Sequence, residues 1–247
     1  MRRRLKRILL ALSVVIMLLL GTAVWYLWPY GPDATAVQAM QSDNTIKVTT
    51  DSYAIVIEPA HEPIQQIGII FYPGAKVEPE SYAPLARDFA TLGYRTIIAR
   101  MPLNLALLGE NRASLLMKRY PDQPFVIGGH SMGGAFAGRF TASNKENENV
   151  RGLFLLGAYT DQPQTSHVLS VLASQDFVLD QQTYHRYRSN LPKTTQTLTI
   201  AGGNHAQFGD YGSQPGDGQA TISRVEQRQQ VVKSVVNWIG KIGQTKE

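Results

Sequence analysis

The chain has 247 residues, of which 43% are hydrophobic and 17% charged, a composition that excludes a disordered or fibrous protein and suits one α/β domain. Its net charge of +5 does not indicate a nucleic-acid partner, because five of the 24 basic residues precede residue 8 and the other 19 balance 19 acidic residues. The absence of cysteine excludes disulfides, a thiolate nucleophile and a cysteine-ligated metal.

The N-terminal segment joins a basic cluster to a long uncharged stretch. Residues 8–28, ILLALSVVIMLLLGTAVWYLW, are long enough to span a bilayer, for which about 20 residues suffice. The preceding basic residues predict a cytoplasmic N-terminus and an exported body. We expect residues 1–28 to be a basic segment plus a transmembrane signal anchor. The alternative is a cleaved signal peptide, with small residues at 21–23 or 34–36 as cleavage sites. Residues 29–44 lack apolar periodicity and are predicted to be a linker.

Residues 45–243 alternate strand-like and helix-like segments, which predicts a mostly parallel, doubly wound α/β sheet with helices on both faces. The first two strands alternate apolar and polar residues and are expected to form an antiparallel edge. The predicted strands are 45–50, 53–59, 67–73, 95–100, 124–129, 152–157, 167–173 and 197–203. The predicted helices are 81–92, 106–120, 132–143, 178–188 and 224–239. Too few residues separate the sixth and seventh strands for a large lid domain.

The segment GGHSMGG, residues 128–134, lies between a predicted strand and a predicted helix. Ser131 is the central residue of its G-x-S-x-G pattern, in which a sharp turn strains the serine backbone and only small neighbours fit. The turn also places the hydroxyl at a helix N-terminus, where the dipole favours developing negative charge. We therefore predict that Ser131 is a nucleophile; the alternative is a purely structural glycine turn.

A serine nucleophile needs a base to take its proton. His205 lies in AGGNHAQFGDYG, just after the last predicted strand, and is predicted to be the general base. His130 is adjacent to Ser131 in the turn and is expected to point away. Surface or core positions are expected for the other histidines, His61, His167 and His185.

The base in turn needs a carboxylate to orient its ring and stabilise the imidazolium. Asp176 follows the seventh predicted strand and is favoured, because residues at the carboxyl ends of strands face the site in open α/β sheets. Asp161 and Asp180 are the alternatives. Asp210 and Asp217 follow His205 and are expected to be turn residues.

Acyl transfer also needs two N–H donors for the oxyanion of the tetrahedral intermediate. The backbone N–H of Met132, directly after the predicted nucleophile, is one candidate. The second is expected in FYPGAKVEP, where Pro73 has no N–H and Ala75 is better placed. The alternative is that residues 72–74 are an ordinary turn at a strand end.

Four stretches carry a family resemblance: FYPGAKVEPESYAPLA, RMPLNLALLGENRA, GGHSMGG and GGNHAQFGDYGSQPGDG. Together they resemble the alpha/beta-hydrolase superfamily, specifically small exported or membrane-anchored bacterial members of the dienelactone-hydrolase or carboxylesterase type. The resemblance spans residues 45–243. It implies Ser131 as nucleophile, Asp176 as acid and His205 as base, with Ala75 and Met132 as the oxyanion donors. One departure is Pro73-Gly74, where many relatives carry His-Gly.

These features predict a serine hydrolase that cleaves an ester-type bond of a small-molecule acyl substrate outside the cytoplasmic membrane. The alternatives are an acyltransferase or peptidase acting on envelope polymers, and a non-catalytic anchored binding domain. No zinc or phosphate-binding motif is present, so neither a metal nor a cofactor is expected. The leucines of MPLNLALL, residues 101–108, are expected in the core, with an acyl pocket as the alternative. The missing lid favours small or extended acyl substrates.

Overall fold

A computed structural model describes residues 2–26, 28–61, 64–164 and 167–244. Eight strands form one sheet in the order β1-β2-β4-β3-β5-β6-β7-β8. They are β1 (Ile46–Thr50), β2 (Ala54–Pro59), β3 (Gly68–Tyr72), β4 (Thr96–Ala99), β5 (Phe125–His130), β6 (Val150–Leu156), β7 (His167–Ala173) and β8 (Gln196–Ile200). β2 pairs antiparallel with β1 and β4, and the remaining pairs are parallel. The predicted sheet and its antiparallel edge are confirmed.

Seven α-helices accompany the sheet within the described residues. They are α1 (Arg2–Tyr26), α2 (Ala34–Ala39), α3 (Ala83–Thr91), α4 (Arg112–Met117), α5 (Met132–Ser143), α6 (Gln181–Tyr187) and α7 (Arg224–Gln244). The helix predicted over residues 106–120 is wrong as one element, because a 3₁₀ turn over Ala106–Leu108 ends at Gly109 before α4 begins. α6 begins later than predicted, since the Asp180 side chain caps it by accepting the N–H groups of Gln182 and Thr183.

The central strands β3, β4 and β5 are buried along their whole length, and therefore on both faces of the sheet. Ile69 and Phe71 of β3 pack with α3 and α7 on one face. Ile70 and Tyr72 of the same strand pack with α4 and α5 on the other. In such a sheet a ligand site forms beyond the carboxyl ends of the strands. Among the described residues no large lid is inserted over that edge.

Much of the predicted linker, residues 29–44, packs on the domain instead of forming a tether. Its helix α2 is capped by the Asp33 side chain, which accepts the Ala36 N–H at 3.0 Å, and Ala36 is fully buried. Arg224 of α7 holds the same Asp33 carboxylate at 2.6 Å. The Tyr30 N–H donates to the Lys76 carbonyl at 2.6 Å. Through the Tyr30 contact, this segment packs against the loop that follows β3.

The N-terminal residues form the single helix α1, which begins within the basic cluster. Among the described residues, no helix combines the length and apolar character needed to cross a membrane. The transmembrane anchor predicted over residues 1–28 is therefore not supported by the structure. Leu27, which belongs to the predicted apolar stretch, lies outside the described residues.

Candidate active site

Ser131 lies on the sharp turn between β5 and α5, with backbone angles φ 53° and ψ −126°. A non-glycine residue in this region is strained and persists only where its surroundings hold it. The Ser131 N–H donates to the Leu156 carbonyl at the end of β6 at 3.0 Å. The Ser131 carbonyl accepts the Ala135 N–H at 3.2 Å, which starts α5. The strained backbone is thus fixed by the neighbouring strand and by the helix that follows.

The glycines around Ser131 allow segments of backbone to touch; we call residues 128–134 the nucleophile turn. A Cβ atom on Gly129 would lie 2.5 Å from the Gly133 carbonyl carbon. A Cβ atom on Gly133 would overlap the carbonyl oxygens of Tyr72 and Pro73. Glycine at these positions therefore lets α5 begin directly against the segment that follows β3.

Asp176 and His205 form a buried pair at the ends of β7 and β8. Asp176 Oδ2 lies 2.8 Å from His205 Nδ1, and the two residues are 4% and 1% exposed. The other carboxylate oxygen, Oδ1, accepts the N–H groups of Val178 at 3.0 Å and Leu179 at 2.8 Å. His205 Nε2 is buried and has no hydrogen-bond partner among the described residues. A carboxylate partner at Nδ1 favours the tautomer whose Nε2 lone pair is free to accept a proton.

Ala75 lies in a loop whose other backbone N–H groups are engaged. Gly74 N–H donates to the Tyr82 hydroxyl at 2.9 Å, and Lys76 N–H donates to the Asn104 carbonyl at 2.8 Å. Val77 N–H donates to the Gly74 carbonyl at 3.2 Å. The Ala75 N–H donates to no described residue.

Met132 is the first residue of α5, where a backbone N–H has no partner within the helix. Because Gly133 packs on the carbonyls of Tyr72 and Pro73, the start of α5 adjoins the loop that carries Ala75. The two predicted oxyanion donors, the N–H groups of Ala75 and Met132, thus lie in segments that contact each other.

His130 and Tyr82 form a buried polar pair behind His205 that the sequence reasoning missed. The His130 ring lies 4.4 Å from the His205 ring, and its Nδ1 lies 2.9 Å from the Tyr82 hydroxyl. Since that hydroxyl accepts the Gly74 N–H, its own proton is available to His130 Nδ1. The pKa of His130 lies well below its ordinary value. Burial is the largest cause, and the neighbouring His205 lowers it further. The sequence offers one signal for this pair: Tyr82 lies within FYPGAKVEPESYAPLA, a stretch that carries the family resemblance.

The alternative acids have other partners. Asp161 is held by Arg139 through two hydrogen bonds of 3.0 and 2.6 Å. Asp180 caps α6, as described above. Asp210 is buried, and desolvation raises its pKa to about 6 against the opposing charge of Arg228, 3.3 Å away. Only Asp176 of the candidates is hydrogen bonded to the His205 ring in the described part of the chain.

Ser131 and His205 open into one cleft of about 560 Å³. One wall comes from α5 and contains Phe136 and Arg139. Tyr159 and Tyr187 also line the cleft, and their rings stack with centroids 5.6 Å apart. The remaining lining residues are Met132, Ala135, Gly157, Ala158, Asp161, Val178, Leu179, Asp180, Thr183 and Arg186. Of the five histidines in the sequence, His205 alone is among these described lining residues.

Three of the four leucines in residues 101–108 do not pack in the core. Leu103, Leu107 and Leu108 are 69%, 57% and 51% exposed, so the expectation of core packing is wrong for these three. None of them lines the cleft that contains Ser131. The reason is the local backbone. Leu103 adopts a positive φ of 52° in a tight turn, and the 3₁₀ turn over Ala106–Leu108 replaces the start of the predicted helix.

Comparisons with known proteins place the chain in a family. The sequence profile of the Alpha/beta hydrolase family matches residues 68–229. No curated protein sequence matches the chain significantly.

Among solved structures, the chain is similar to a fungal esterase from Rhizomucor miehei, with a TM-score of 0.63 and 12% identity, covering 85% of this chain and 86% of that one. It is also similar to an esterase from Pyrobaculum calidifontis, with a TM-score of 0.59, 14% identity and coverage of 81% and 88%. A serine hydrolase without a lid from Xanthomonas campestris gives a TM-score of 0.56 at 13% identity, with coverage of 80% and 96%. At such identities these likenesses concern the fold. The profile match spans well over half of the sequence, and the chain therefore belongs to the alpha/beta hydrolase family.

Proposed function

We propose that the protein is a serine hydrolase that cleaves ester-type bonds through an acyl-enzyme intermediate. Ser131 is the nucleophile, His205 the general base and Asp176 the carboxylate that orients it. The observation that carries this proposal is the buried 2.8 Å hydrogen bond between Asp176 and His205, whose ring lines the same cleft as the strained Ser131. That arrangement is the one required to activate a serine hydroxyl.

The reaction follows from these atoms. His205 Nε2 takes the Ser131 hydroxyl proton as Oγ attacks the ester carbonyl. The N–H groups of Ala75 and Met132 stabilise the oxyanion, and Asp176 stabilises the imidazolium. Collapse of the intermediate breaks the ester C–O bond, and His205 gives its proton to the leaving alcohol. Water, deprotonated by the same nitrogen, then attacks the acyl-enzyme; the acyl C–Oγ bond breaks, His205 returns the proton to Ser131 Oγ, and the acid is released.

The cleft lining favours small or polar acyl substrates over long alkyl chains. Two arginines and two aspartates, Arg139, Arg186, Asp161 and Asp180, line it beside the tyrosine pair. Burying these charged groups under an alkyl chain would remove their water without supplying new hydrogen bonds. We therefore propose that acetyl and butyryl esters are cleaved more efficiently than octanoyl esters.

Hydrolysis of aryl acetate, butyrate and octanoate by the full chain in mild detergent tests the proposal. We expect kcat/KM to fall as the acyl chain lengthens, and Ser131→Ala to abolish turnover. Ser52→Ala, which changes an exposed serine in the turn between β1 and β2, is the matched control and should retain activity. Turnover that survives Ser131→Ala would contradict the assignment. Faster product formation with an added alcohol acceptor would identify an acyltransferase, cleavage of anilides a peptidase, and no turnover by the folded protein a binding domain.

We also propose that the enzyme acts outside the cytoplasmic membrane. The basic cluster followed by uncharged residues 8–28 supports export. So does the exposure of apolar side chains on α1, including Leu10 and Leu18, which are each 66% exposed. In bacterial cells that express the full chain, protease added to spheroplasts should digest the hydrolase domain and spare a cytoplasmic marker. A protected domain in intact spheroplasts would argue against this location.

A further inference from the structure

Asp217 joins the two loops that carry the buried acid–base pair. Its Oδ2 accepts the Ala206 N–H at 2.8 Å, and its Oδ1 accepts the His205 N–H at 3.2 Å. Oδ1 also accepts the Phe177 N–H at 3.4 Å, directly after Asp176, and the Gly218 N–H at 2.9 Å. One carboxylate therefore binds backbone on both sides of the acid–base pair, although the sequence suggested an ordinary turn residue.

The loop that carries Asp217 is seated tightly between the same two segments. A Cβ atom on Gly218 would overlap the Gln175 carbonyl oxygen, so the loop backbone lies directly on the turn that carries Asp176. The Gly218 carbonyl accepts from the Asn204 side chain at 2.7 Å. The Gln175 N–H donates to the Gly203 carbonyl at 2.8 Å, which is a second link between the turn that carries Asp176 and the loop that carries His205. Asp217 thus has little freedom to move away from its donors.

We infer that Asp217 is a positioning residue that fixes the His205 backbone relative to Asp176, so that the imidazole meets Ser131 at the reactive distance. Its hydrogen bonds to two consecutive N–H groups set the backbone direction at His205, and that direction aims the Nε2 atom. The inference rests on the proposed function of Ser131, Asp176 and His205. Small displacements of a reacting group slow catalysis strongly, and a misplacement of about 1 Å can cost roughly 100-fold in rate.

Two substitutions in the full chain separate positioning from general support of the fold. Asp217→Ala removes all the acceptors, and we expect kcat for aryl acetate to fall about 10- to 100-fold with KM nearly unchanged. Asp217→Asn keeps an oxygen at Oδ1 for His205, Phe177 and Gly218 while placing an NH₂ group opposite the Ala206 N–H. Because two N–H donors then face each other at Ala206, it should recover only part of the lost kcat.

Asp51→Ala is the matched control, because Asp51 also accepts backbone N–H groups, those of Tyr53 and Ala54, together with the Arg119 side chain, in a turn outside the cleft lining. It should lower the denaturation midpoint comparably and leave kcat unchanged. If Asp217→Ala lowers kcat no more than Asp51→Ala does, positioning is refuted.

A readout that needs no turnover keeps this inference distinct from the proposed function. The proton on His205 Nδ1, held by Asp176, should give a downfield proton NMR signal in the wild-type protein. We expect Asp217→Ala to shift or broaden that signal and Asp51→Ala to leave it in place. An unchanged signal in Asp217→Ala would overturn the positioning role even in an active enzyme, whereas an inactive wild type would overturn only the proposed function.

Discussion

The two halves of the candidate site are held by different forces. The nucleophile turn is held by backbone packing, since Gly129 and Gly133 leave no room for side chains. The base loop, residues 202–218, is held by side-chain hydrogen bonds to its backbone: Asp217 accepts from His205, and Gln227 accepts the Asn204 N–H at 3.0 Å. The nucleophile turn depends on the absence of side chains at Gly129 and Gly133. The base loop has one such close contact, at Gly218, and depends in addition on particular polar groups. Substitutions that add atoms should damage the first half, and substitutions that remove polar atoms should damage the second.

The largest effect is expected from Gly133→Ala in the nucleophile turn. The new methyl group would overlap the carbonyl oxygens of Tyr72 and Pro73, so the start of α5 must move away from the loop that carries Ala75. We expect the free energy of unfolding to fall by about 3 kcal/mol and ester hydrolysis to be lost, as measured by urea denaturation and aryl acetate turnover.

The control for this substitution is Gly240→Ala, on an exposed part of α7 where a Cβ atom would meet nothing within 4 Å. It should raise stability by up to about 1 kcal/mol, because alanine favours the helix. Wild-type stability and activity in Gly133→Ala would mean that the turn does not depend on close backbone contact.

Asp176→Asn tests the polar half at its central pair. The amide retains an oxygen for the Val178 and Leu179 N–H groups but cannot support the imidazolium or hold the required tautomer of His205. We expect kcat to fall about 10³- to 10⁴-fold while the denaturation midpoint changes little. A loss of less than about 10-fold in kcat would indicate that another carboxylate serves His205.

Tyr82→Phe tests the hydrogen bonds that join His130 of the nucleophile turn to the loop that carries Gly74, with a smaller expected effect. It removes the acceptor of the Gly74 N–H and the partner of His130 Nδ1, leaving two buried polar groups unpaired. We expect a stability loss of about 1–3 kcal/mol and a fall in kcat of roughly 10-fold. Tyr94→Phe changes another buried tyrosine, whose exposed fraction is 7%, and should leave kcat unchanged. Equal kinetic effects of the two variants would contradict a role for Tyr82 in holding the loop.

The last test concerns stability alone, since Asp210 of the base loop and His130 of the nucleophile turn contribute to it with opposite pH dependence. Burial raises the pKa of Asp210 in the base loop to about 6, above its value in the unfolded chain. The folded state therefore binds more protons between about pH 4 and 6, and the stability contributed by Asp210 falls as pH rises through that range. His130, whose pKa is lowered by burial, contributes stability that falls as pH drops below about 6.5.

The Asp210 contribution can be isolated by comparing the wild type with Asp210→Asn, because His130 is common to both. The stability of the wild type relative to the variant should decline by about 1–2 kcal/mol between pH 4 and 7, as measured by urea denaturation at each pH. A constant difference across that range would show that Asp210 titrates alike in the folded and unfolded chains.

The same contrast explains what the sequence could predict. All eight strands and the bounds of α5 follow from local patterns, and the nucleophile turn is a contiguous stretch with its glycines in place. The hydrogen bonds that hold the base loop cannot be predicted from a local pattern, because the two residues of each pair lie far apart along the chain. Asp217 acts on residues 11 and 12 positions earlier and on Phe177, 40 positions earlier.

Two further misses have the same origin in tertiary contacts. α2 forms in a segment without apolar periodicity because Asp33 caps it and Arg224, 191 positions away, holds that aspartate. His130 was expected to point away from the site, yet its ring packs on His205 once the sheet edge and the base loop meet. In each case the determining partner is distant in the sequence, so no local pattern records it.

Covalent labelling with a fluorophosphonate tests the central claim most directly. The reagent reacts with a serine only where a base removes its proton, so peptide mapping by mass spectrometry locates the activated hydroxyl. The account predicts one adduct per chain, on the peptide that contains Ser131, formed far more slowly in Asp176→Asn and absent in Ser131→Ala. An adduct on another residue, or labelling that persists in Ser131→Ala, would contradict it.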